Sequence, residues 1–321
     1  KGANFNSLVR EAAHLRVSVM GDLDTLRKSY VLERGVYDAH GEEVSPGTPK
    51  SILAFSDQYP NNRLGLSRWL FDARHPLTAR VFVNRIWQNI FGKGLVPTSG
   101  DFGMQGELPS HPELLDWLAV DFMENGWDIK RLIKMVVMSA TYRQSTVVNP
   151  QNLEKDPQNI LLARYPRQRL PAEFIRDLVL SSSGLLVPTL GGPSVKPYQP
   201  TGLWEAATSG RGNLSQYQQD TGAALYRRGL YTFIKRTVPP PSLILFDGSN
   251  RDECEVERTL TNTPLQALFM LNDPTVLEAS RVLAARLLAE NLSSENFIQR
   301  AFRSIISREA DLEELAILVD Y

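Results

Sequence analysis

A carboxylate and an imidazole bracket a glycine-rich loop, and they are the residues of this chain best suited to acid–base chemistry. Asp101 lies inside the loop at residues 98–106, and His111 stands directly before Pro112 at the predicted start of a helix. The partial positive charge of a helix start attracts anions and favours a neutral imidazole. Asp101 and His111 could therefore form a general acid–base pair. The alternative is that His111 only completes the turn that caps the helix.

A stripe of polar side chains crosses the strongly apolar helix that the sequence predicts from about residue 77 to residue 91. The stripe has four-residue spacing and consists of Arg80, Asn84 and Gln88. A buried polar group without a partner costs about 1–3 kcal/mol, so these side chains require hydrogen bonds. They could bind a ligand, with Arg85 as a further charge partner. They could equally hold the loop at residues 98–103 in place.

Arginines and aromatic residues recur in the second half of the chain. The arginines are Arg164, Arg167, Arg169, Arg176, Arg227, Arg228 and Arg236, and the aromatic residues in or beside an irregular segment are Tyr198, Trp204, Tyr217 and Tyr226. Guanidinium groups suit the recognition of sulfate, carboxylate or sugar acids. The same arginines could instead form internal ion pairs with Glu173, Asp177 and Asp247. The aromatic rings could stack on sugars or anchor the segment to a core.

Metal, cofactor, nucleic-acid and membrane chemistry have little support in the sequence. Cys254 is the single cysteine, and the four histidines have no zinc-binding spacing, so we expect no metal site. No CxxCH motif occurs, so we expect no haem and no other cofactor within this chain. A formal net charge of −1 argues against a nucleic-acid partner. No apolar run approaches the roughly 18 residues that a membrane span requires.

The spacing of apolar residues predicts a mainly α protein, an irregular multi-helix domain with small β-containing excursions near the N-terminus and around 226–246. Composition divides it into a β-leaning segment at 1–60, a helical core at 61–184, a loop-rich insert with short strands at 185–260, and C-terminal helices at 261–321 that pack on the core. We expect one compact unit. Both ends of the chain look like cuts, so we expect a piece of a longer protein.

Several local features give this prediction detail. Strands are predicted at residues 30–32, 228–235 and 242–246. Ser110 and Glu113 have the spacing of a capping box ahead of one helix, and Asp128 is placed to cap the next. Trp87 and Trp117 are predicted to be buried, because each lies among apolar neighbours in a helix.

Short motifs follow one another in a characteristic order along most of the chain. They include PLTARV at 76–81, VNRIWQ at 83–88, FGKGLV at 91–96, DFG at 101–103, HPELLDWL at 111–118, SATYRQS at 139–145, GGPSV at 191–195 and TPLQAL at 263–268. This series resembles an uncharacterised C-terminal domain family that is abundant in planctomycetes and related bacteria. The resemblance implies an exported protein, periplasmic or extracellular, in which this domain follows a haem-c-bearing cytochrome-c-like domain and a second planctomycete-specific domain. It implies no reaction and no catalytic residue.

Two functional hypotheses from different classes follow. In the first, the helical body and a lid at 185–222 enclose a cleft for an extracellular organic substrate such as a complex glycan, and the upstream cytochrome-c-like domain removes electrons from it. In the second, the chain is a non-catalytic binding or docking module that positions the haem-bearing portion. A pocket that gathers Arg, Asp, His and aromatic side chains favours the first hypothesis. A filled core with every arginine in an internal ion pair favours the second.

Overall fold

The computed structural model describes residues 19–21, 27–208, 212, 215–249, 251 and 254–320. The chain divides into two compact units, Lys1–Gln144 and Ser145–Tyr321. Both units are mainly helical, which confirms the predicted fold class. The boundary between the units falls inside the predicted helical core at 61–184, and the four-part division by composition stays a prediction.

The first unit contains a short hairpin and four helices among its described residues. The elements are β1 (Ser29–Leu32), β2 (His40–Val44), α1 (Arg63–Leu70), α2 (Thr78–Phe91), α3 (Pro112–Glu124) and α4 (Ile129–Met138). β1 pairs antiparallel with β2, and the rings of Tyr30 and His40 stack with their centroids 4.4 Å apart. The strand predicted near residue 30 is thereby confirmed. Residues 1–18 and 22–26 of the predicted β-leaning segment lie outside the described residues.

The core of the first unit lies between α2 and α3, which pack against each other. The buried side chains of α2 have the three- and four-residue spacing of one helix face and belong to Ala79, Val83, Asn84, Trp87, Gln88 and Phe91. Phe82 of α2 stacks on Phe122 of α3, with ring centroids 5.2 Å apart. α2 ends at Gly92, whose φ of 81° is a left-handed conformation that glycine adopts without strain.

The two tryptophans that the sequence predicts to be buried have different environments. Trp87 is only 7% exposed in the core, as predicted, but Trp117 is 56% exposed, so the second prediction is wrong. The buried face of α3 carries Leu115 and Leu118. A residue two positions after Leu115 does not share its face of the helix, and Trp117 therefore points away from the core.

The start of α3 differs from the predicted capping box, whereas the start of α4 agrees with its predicted cap. The Ser110 hydroxyl donates to the carbonyl oxygen of Leu95 at 3.2 Å, and no side chain caps α3. The box with Glu113 is therefore wrong, because a contact distant in sequence engages Ser110. The Asp128 carboxylate accepts from the backbone N–H of Arg131 at 3.0 Å, which confirms the cap of α4.

The second unit consists of helices joined by long non-helical segments. Its helices are α5 (Pro150–Lys155), α6 (Ala172–Ser183), α7 (Leu203–Thr208), α8 (Pro241–Leu245), α9 (Pro264–Asn272), α10 (Pro274–Leu288), α11 (Ser294–Ile306) and α12 (Leu312–Asp320). α10 packs against α6, α9 and α11. A small core gathers the buried Ala172, Leu243 and Phe246, with Phe269 against the Phe246 ring at 5.6 Å. Among the described helices, none has the length and apolar character of a membrane span.

The strand predicted at 242–246 is wrong, because this stretch forms the short helix α8. Pro241 occupies the first helical position, where the fixed φ of proline suits a helix and its missing N–H is not needed. Leu243 and Phe246, three residues apart, are both buried. A short apolar run has no periodicity that separates a strand from a buried helix, which explains the error.

The strand predicted at 228–235 is also not formed as a strand. A short 3-10 turn at Gly229–Tyr231 interrupts this stretch. Beyond the turn, Thr232 makes an isolated bridge with Val195, and Lys235 makes another with Val238. The β-containing excursion predicted around 226–246 is therefore limited to single bridges.

Candidate functional site

One buried amide holds the predicted acid–base corner of the first unit together from the side of α2. Asn84 is fully buried, and its side-chain oxygen accepts from the backbone N–H of Val96 at 2.8 Å. Its side-chain nitrogen donates to the carbonyl oxygen of Val96 and to the hydroxyl of Ser99, each at 3.1 Å. Asn84 thus fixes the entry to the loop at 98–103, as the structural interpretation of the polar stripe predicts.

The backbone approaches this amide most closely at Gly94. A Cβ atom at Gly94 would lie 2.6 Å from Nδ2 and 2.8 Å from Oδ1 of Asn84. It would also lie 2.5 Å from the carbonyl oxygen of Val96. A residue with a side chain does not fit in this space, so glycine at this position serves the packing of the loop against α2.

The other members of the polar stripe have different surroundings. The Arg80 guanidinium donates to the Asp116 carboxylate at 2.6 Å and to the carbonyl oxygen of Pro76 at 2.5 Å. The hydrogen bond from Arg80 lowers the pKa of the Asp116 carboxyl. Gln88 is buried on the core face of α2, whereas Arg85 is exposed. Of the four predicted ligand-binding residues, Asn84 and Gln88 are therefore buried, whereas Arg80 is partly exposed in its ion pair and Arg85 is exposed.

Asp101 and His111 each bond to a near neighbour in the chain. The Asp101 Oδ1 atom accepts from the backbone N–H of Gly103 at 2.6 Å, and the His111 Nδ1 atom lies 3.0 Å from the Ser110 hydroxyl. Within the part of the chain that the structure describes, no hydrogen bond or ion pair joins Asp101 to His111. Nor does any group of three or more His, Cys, Asp and Glu side chains there form a metal site. The acid–base assignment stays a prediction.

A cavity of about 540 Å³ lies in the second unit. Its lining residues are the arginines Arg236 and Arg251, the hydroxyl-bearing Ser194 and Thr232, the aromatic Tyr231 and Phe233, and the apolar or small residues Gly192, Leu230 and Ile234. No carboxylate or imidazole occurs among these lining residues. The cavity therefore presents hydrogen-bond donors, positive charge and aromatic surface.

Two segments outside the α-helices run side by side and form one wall of the cavity. The backbone N–H of Val195 donates to the carbonyl oxygen of Tyr231, and the N–H of Phe233 donates to the carbonyl oxygen of Val195, each at 2.8 Å. The two bonds make an isolated parallel bridge. They fix the lining residues at 192–194 relative to those at 230–234, although neither segment belongs to a sheet.

Arg227 holds the glycine-containing loop that leads into this wall. Its guanidinium donates to three backbone carbonyl oxygens, those of Pro193 at 2.9 Å, Thr189 at 3.1 Å and Gly191. The guanidinium also stacks on Tyr231, 3.8 Å from the ring centroid, and the Tyr231 hydroxyl accepts from the N–H of Gly191 at 2.7 Å. Arg227 is 8% exposed, so one buried side chain satisfies carbonyl groups that a sheet would otherwise pair.

Several buried polar atoms at or beside the cavity have no hydrogen-bond partner in the described part of the second unit. They are Thr232 Oγ1, Arg227 Nε and Trp204 Nε1. Thr232 is 7% exposed and lines the cavity. Buried polar atoms in folded proteins are nearly always paired with protein groups or with water. The hydroxyl oxygen of Thr232 is itself inaccessible to solvent, so this residue lines the cavity with its other atoms.

Phe233 connects the cavity to a cluster of aromatic and cationic side chains. Its ring lies 5.7 Å from that of Trp204, which contacts Tyr217 at 5.1 Å. The ammonium groups of Lys235 and Lys196 lie over the Trp204 ring at 4.6 Å and 5.7 Å. Burial raises the pKa of Tyr217 to about 12. Trp204 is 1% exposed, so it anchors the irregular segment, which was one of the two interpretations.

Ion pairs engage other arginines that the sequence singles out. Arg228 pairs with Asp177 at 2.9 Å. Arg169 pairs with Asp247, whose carboxylate also accepts from the backbone N–H of Thr261 at 2.8 Å. The hydrogen bonds from Thr261, together with the charge of Arg169, lower the pKa of Asp247. The predicted internal ion pairs with Asp177 and Asp247 are therefore confirmed.

Sequence reasoning includes Arg236 among the notable arginines but misses Ser194, Thr232 and Arg251 as site residues. No periodic pattern relates these positions, because they lie in separate non-helical segments. One available signal is the GGPSV motif at 191–195, in which two glycines with positive φ turn the chain directly before Ser194.

A model of the protein family described as PSD1, protein of unknown function (DUF1553), matches residues 62–321 of the chain. The match takes in every helix from α1 onward, and it includes both the corner around Asp101 and the cavity of the second unit. It confirms that the series of motifs marks an uncharacterised domain family. No curated protein and no solved structure matches the chain.

Proposed function

Because this chain belongs to the PSD1 (DUF1553) family, whose description assigns no activity, we propose a function from the site itself: the chain binds a glycan in the cavity of its second unit. The observation that carries this proposal is the combination of aromatic rings, hydroxyls and guanidinium groups around a single volume of about 540 Å³. Pockets for small ligands typically measure about 300–1,000 Å³. The cavity therefore suits a short stretch of a glycan chain.

Each kind of lining group has a role in sugar recognition. Tyr231 and Phe233 supply rings that can stack on the apolar face of a sugar, and their hydrogen-bonded backbone holds them in place. Ser194 is exposed in the lining and supplies a hydroxyl that can donate to or accept from sugar hydroxyls.

The lining favours recognition rather than a chemical step at this cavity. General acid–base catalysis requires a titratable side chain within hydrogen-bond reach of the reacting group. The described lining residues include neither a carboxylate nor an imidazole. In the first unit, Asp101 and His111 bond to separate neighbours. We therefore assign the holding of the glycan to this chain and the chemical step to another domain.

The wider part of the proposal concerns the protein to which the chain belongs. Its support is the motif series, which resembles domains that follow a cytochrome-c-like domain in exported planctomycete proteins. In such a protein, the upstream domain holds haem c and acts on the extracellular glycan that this chain binds. The alternative is a docking module that only positions the haem-bearing portion, and such a module needs no affinity for glycans.

Calorimetric titration of the whole chain with a panel of oligosaccharides tests the proposal. We expect binding, and we expect Ser194→Ala to weaken it about fivefold, because a neutral hydrogen bond contributes about 1 kcal/mol. Ser194 is exposed, so this variant keeps the melting temperature of the wild type. Ser181→Ala makes the same change at an exposed position of α6 outside the cavity lining and serves as the control.

Two outcomes contradict the proposal. A panel in which no oligosaccharide binds favours the docking alternative. Binding that Ser194→Ala leaves at the wild-type affinity shows that the glycan occupies another place on the chain.

A further inference from the structure

The hairpin of the first unit has an open strand edge, which is an interaction surface independent of the proposed glycan binding. Among the described residues, β1 pairs only with β2, so the sheet there has two strands. Every residue of β2 and all but one residue of β1 are exposed. A two-stranded hairpin is marginally stable in water unless a further strand or a helix completes it. We infer that β1 of a second copy of this chain completes the sheet, by antiparallel pairing of the two β1 edges.

The backbone geometry shows which groups of β1 face away from β2. The carbonyl oxygen of Val31 faces β2, because a Cβ atom at Gly41 would lie 2.9 Å from it. The backbone N–H of Glu33 also faces that side and donates, at 3.0 Å, to the carbonyl oxygen directly before β2. Backbone groups alternate between the two edges of a strand, so those of Tyr30 and Leu32 face away from β2. A second strand can therefore pair at Tyr30 and Leu32.

The other edge of the hairpin is protected in a way that the edge of β1 is not. β2 carries two adjacent carboxylates, Glu42 and Glu43, and its pairing with β1 is irregular between Tyr30 and Leu32. Charged side chains and irregular pairing both discourage the addition of another strand. β1 contains no charged residue, so its edge is the one that accepts a strand.

The flanking charges of β1 match themselves in one register of the pair. Because the backbone groups of Tyr30 face outward, the twofold axis can pass between Tyr30 of one copy and Tyr30 of the other. In this register, Lys28 pairs with Leu32 of the second copy, and Arg27 lies opposite its Glu33. Opposite charges directly across an antiparallel pair are stabilising, and the symmetry supplies this pair twice.

The same charges disfavour the neighbouring register and remain available to a second copy. A shift of the axis by one residue brings Lys28 opposite Arg34 of the second copy, and like charges in such positions are destabilising. Lys28 already pairs with Glu43 of β2 at 3.0 Å. Arg27 and Glu33 are both exposed, and neither has an ion pair within the part of the chain that the structure describes. These two charges therefore select the register with Tyr30 on the axis.

Sedimentation of the whole chain over a series of concentrations tests the inference. A strand pair of this length buries little area, so we expect a weak dimer with a dissociation constant on the order of 10–100 µM. Arg27→Glu and Glu33→Arg should each raise this constant about tenfold, because each places like charges at both ends of the pair. The double variant exchanges the two charges and should restore the wild-type constant. Lys50→Glu makes the same charge change as Arg27→Glu at an exposed position outside the hairpin and should dimerise as the wild type does.

Disulfide trapping tests the register, in a Cys254→Ser background because the single cysteine is exposed. In the proposed register, Ser29 lies opposite Val31 of the second copy in a pair without backbone hydrogen bonds, where Cα atoms are about 4.5 Å apart. This separation suits a disulfide, whereas the two copies of either residue lie about 7–8 Å apart. An equimolar mixture of Ser29→Cys and Val31→Cys should therefore form a linked dimer, and either variant alone should form little.

Leu32→Pro tests the backbone bonds of the open edge. It removes an N–H that faces away from β2, and the φ of −91° at Leu32 is near the value that proline requires. We expect the melting temperature to be unchanged and the dissociation constant to rise about tenfold or more.

Three results would overturn the inference. The first is a chain that stays monomeric across the concentration series. The second is a dimer whose dissociation constant is the same in Arg27→Glu, Leu32→Pro and the wild type, because such a dimer uses another surface. The third is a disulfide that forms as readily in Val31→Cys alone as in the mixture, because this result places a different residue pair across the axis.

Discussion

Replacing Asn84 with alanine decides whether the polar stripe of α2 serves the fold or a ligand. The buried amide of Asn84 accepts from the N–H of Val96 at 2.8 Å and donates to its carbonyl oxygen at 3.1 Å. Alanine removes both bonds. The carbonyl oxygen keeps a longer contact of 3.4 Å from the Ser99 hydroxyl, whereas the N–H is left without the amide.

The expected change in the free energy of unfolding follows from these lost hydrogen bonds. An unpaired buried donor or acceptor costs about 1–3 kcal/mol, and deletion of the amide adds a small cavity beside the core. We therefore expect Asn84→Ala to lower the free energy of unfolding of the first unit by about 2–4 kcal/mol. If the stripe instead serves a ligand, the variant loses ligand affinity while its stability changes little.

Urea unfolding followed by tryptophan fluorescence measures this effect. Four of the five tryptophans lie in the first unit, so the fluorescence reports mainly on that unit. Asn89→Ala is the matched control, because Asn89 is exposed on the same helix, and we expect a change within about 0.5 kcal/mol. A loss below about 1 kcal/mol for Asn84→Ala, or equal losses for both variants, refutes the structural role of the amide.

Trp87→Ala should cost about 3–5 kcal/mol of unfolding free energy and Trp117→Ala less than about 1 kcal/mol, and equal losses in a urea titration would contradict the observed burial. Burial lowers the pKa of His75, so the unfolded chain takes up a proton more readily than the folded one, and the melting temperature should fall as the pH drops below about 6.5. His75→Asn keeps a hydrogen-bond acceptor that does not titrate, so this variant should weaken the dependence of the melting temperature on pH. An unchanged dependence would show that His75 is not its cause. Asp101→Asn and His111→Ala should abolish ligand binding at an unchanged melting temperature if the acid–base corner is a site, whereas lower melting temperatures with intact binding show a structural corner.

The expected effect of pH on the melting temperature follows from the hydrogen bonds of the His75 imidazole ring. The His75 Nδ1 atom accepts from the backbone N–H groups of Leu77 and Thr78, at 3.3 Å and 3.2 Å, at the start of α2. Protonation of Nδ1 would end this acceptor role at a helix start, where N–H groups lack intrahelical partners. The neutral imidazole is therefore the form that the fold stabilises.

Local sequence signals predict the helices of the first unit well. The apolar spacing predicts α2, Gly92 marks its end, and Asp128 marks the start of α4. Each of these signals acts within a few residues of the element it defines, so neighbours in sequence suffice to predict it. Ser110 shows the limit, since its hydroxyl bonds to Leu95 and not to the helix that follows.

Local sequence signals do not predict the cavity of the second unit, because residues distant in sequence form it. Its walls come from 192–194, from 230–236 and from Arg251, and side-chain bonds to backbone carbonyls set their relative positions. The arginines are visible in the sequence, but their roles are not. Arg228 joins an ion pair, Arg227 binds carbonyl oxygens, and Arg236 lines the cavity, although all three lie within one short stretch.

The backbone of Thr232 matters more for the cavity than its hydroxyl does. The hydroxyl oxygen is inaccessible to solvent, so a ligand in the cavity does not reach it, and a valine of nearly the same shape would avoid the cost of about 1–3 kcal/mol that an unpaired buried hydroxyl carries. The backbone bridge between Thr232 and Val195 instead joins the segment of Ser194 to the segment of Phe233. The proposed sugar contacts therefore depend on an exposed hydroxyl and on an aromatic ring that this bridge positions in one lining.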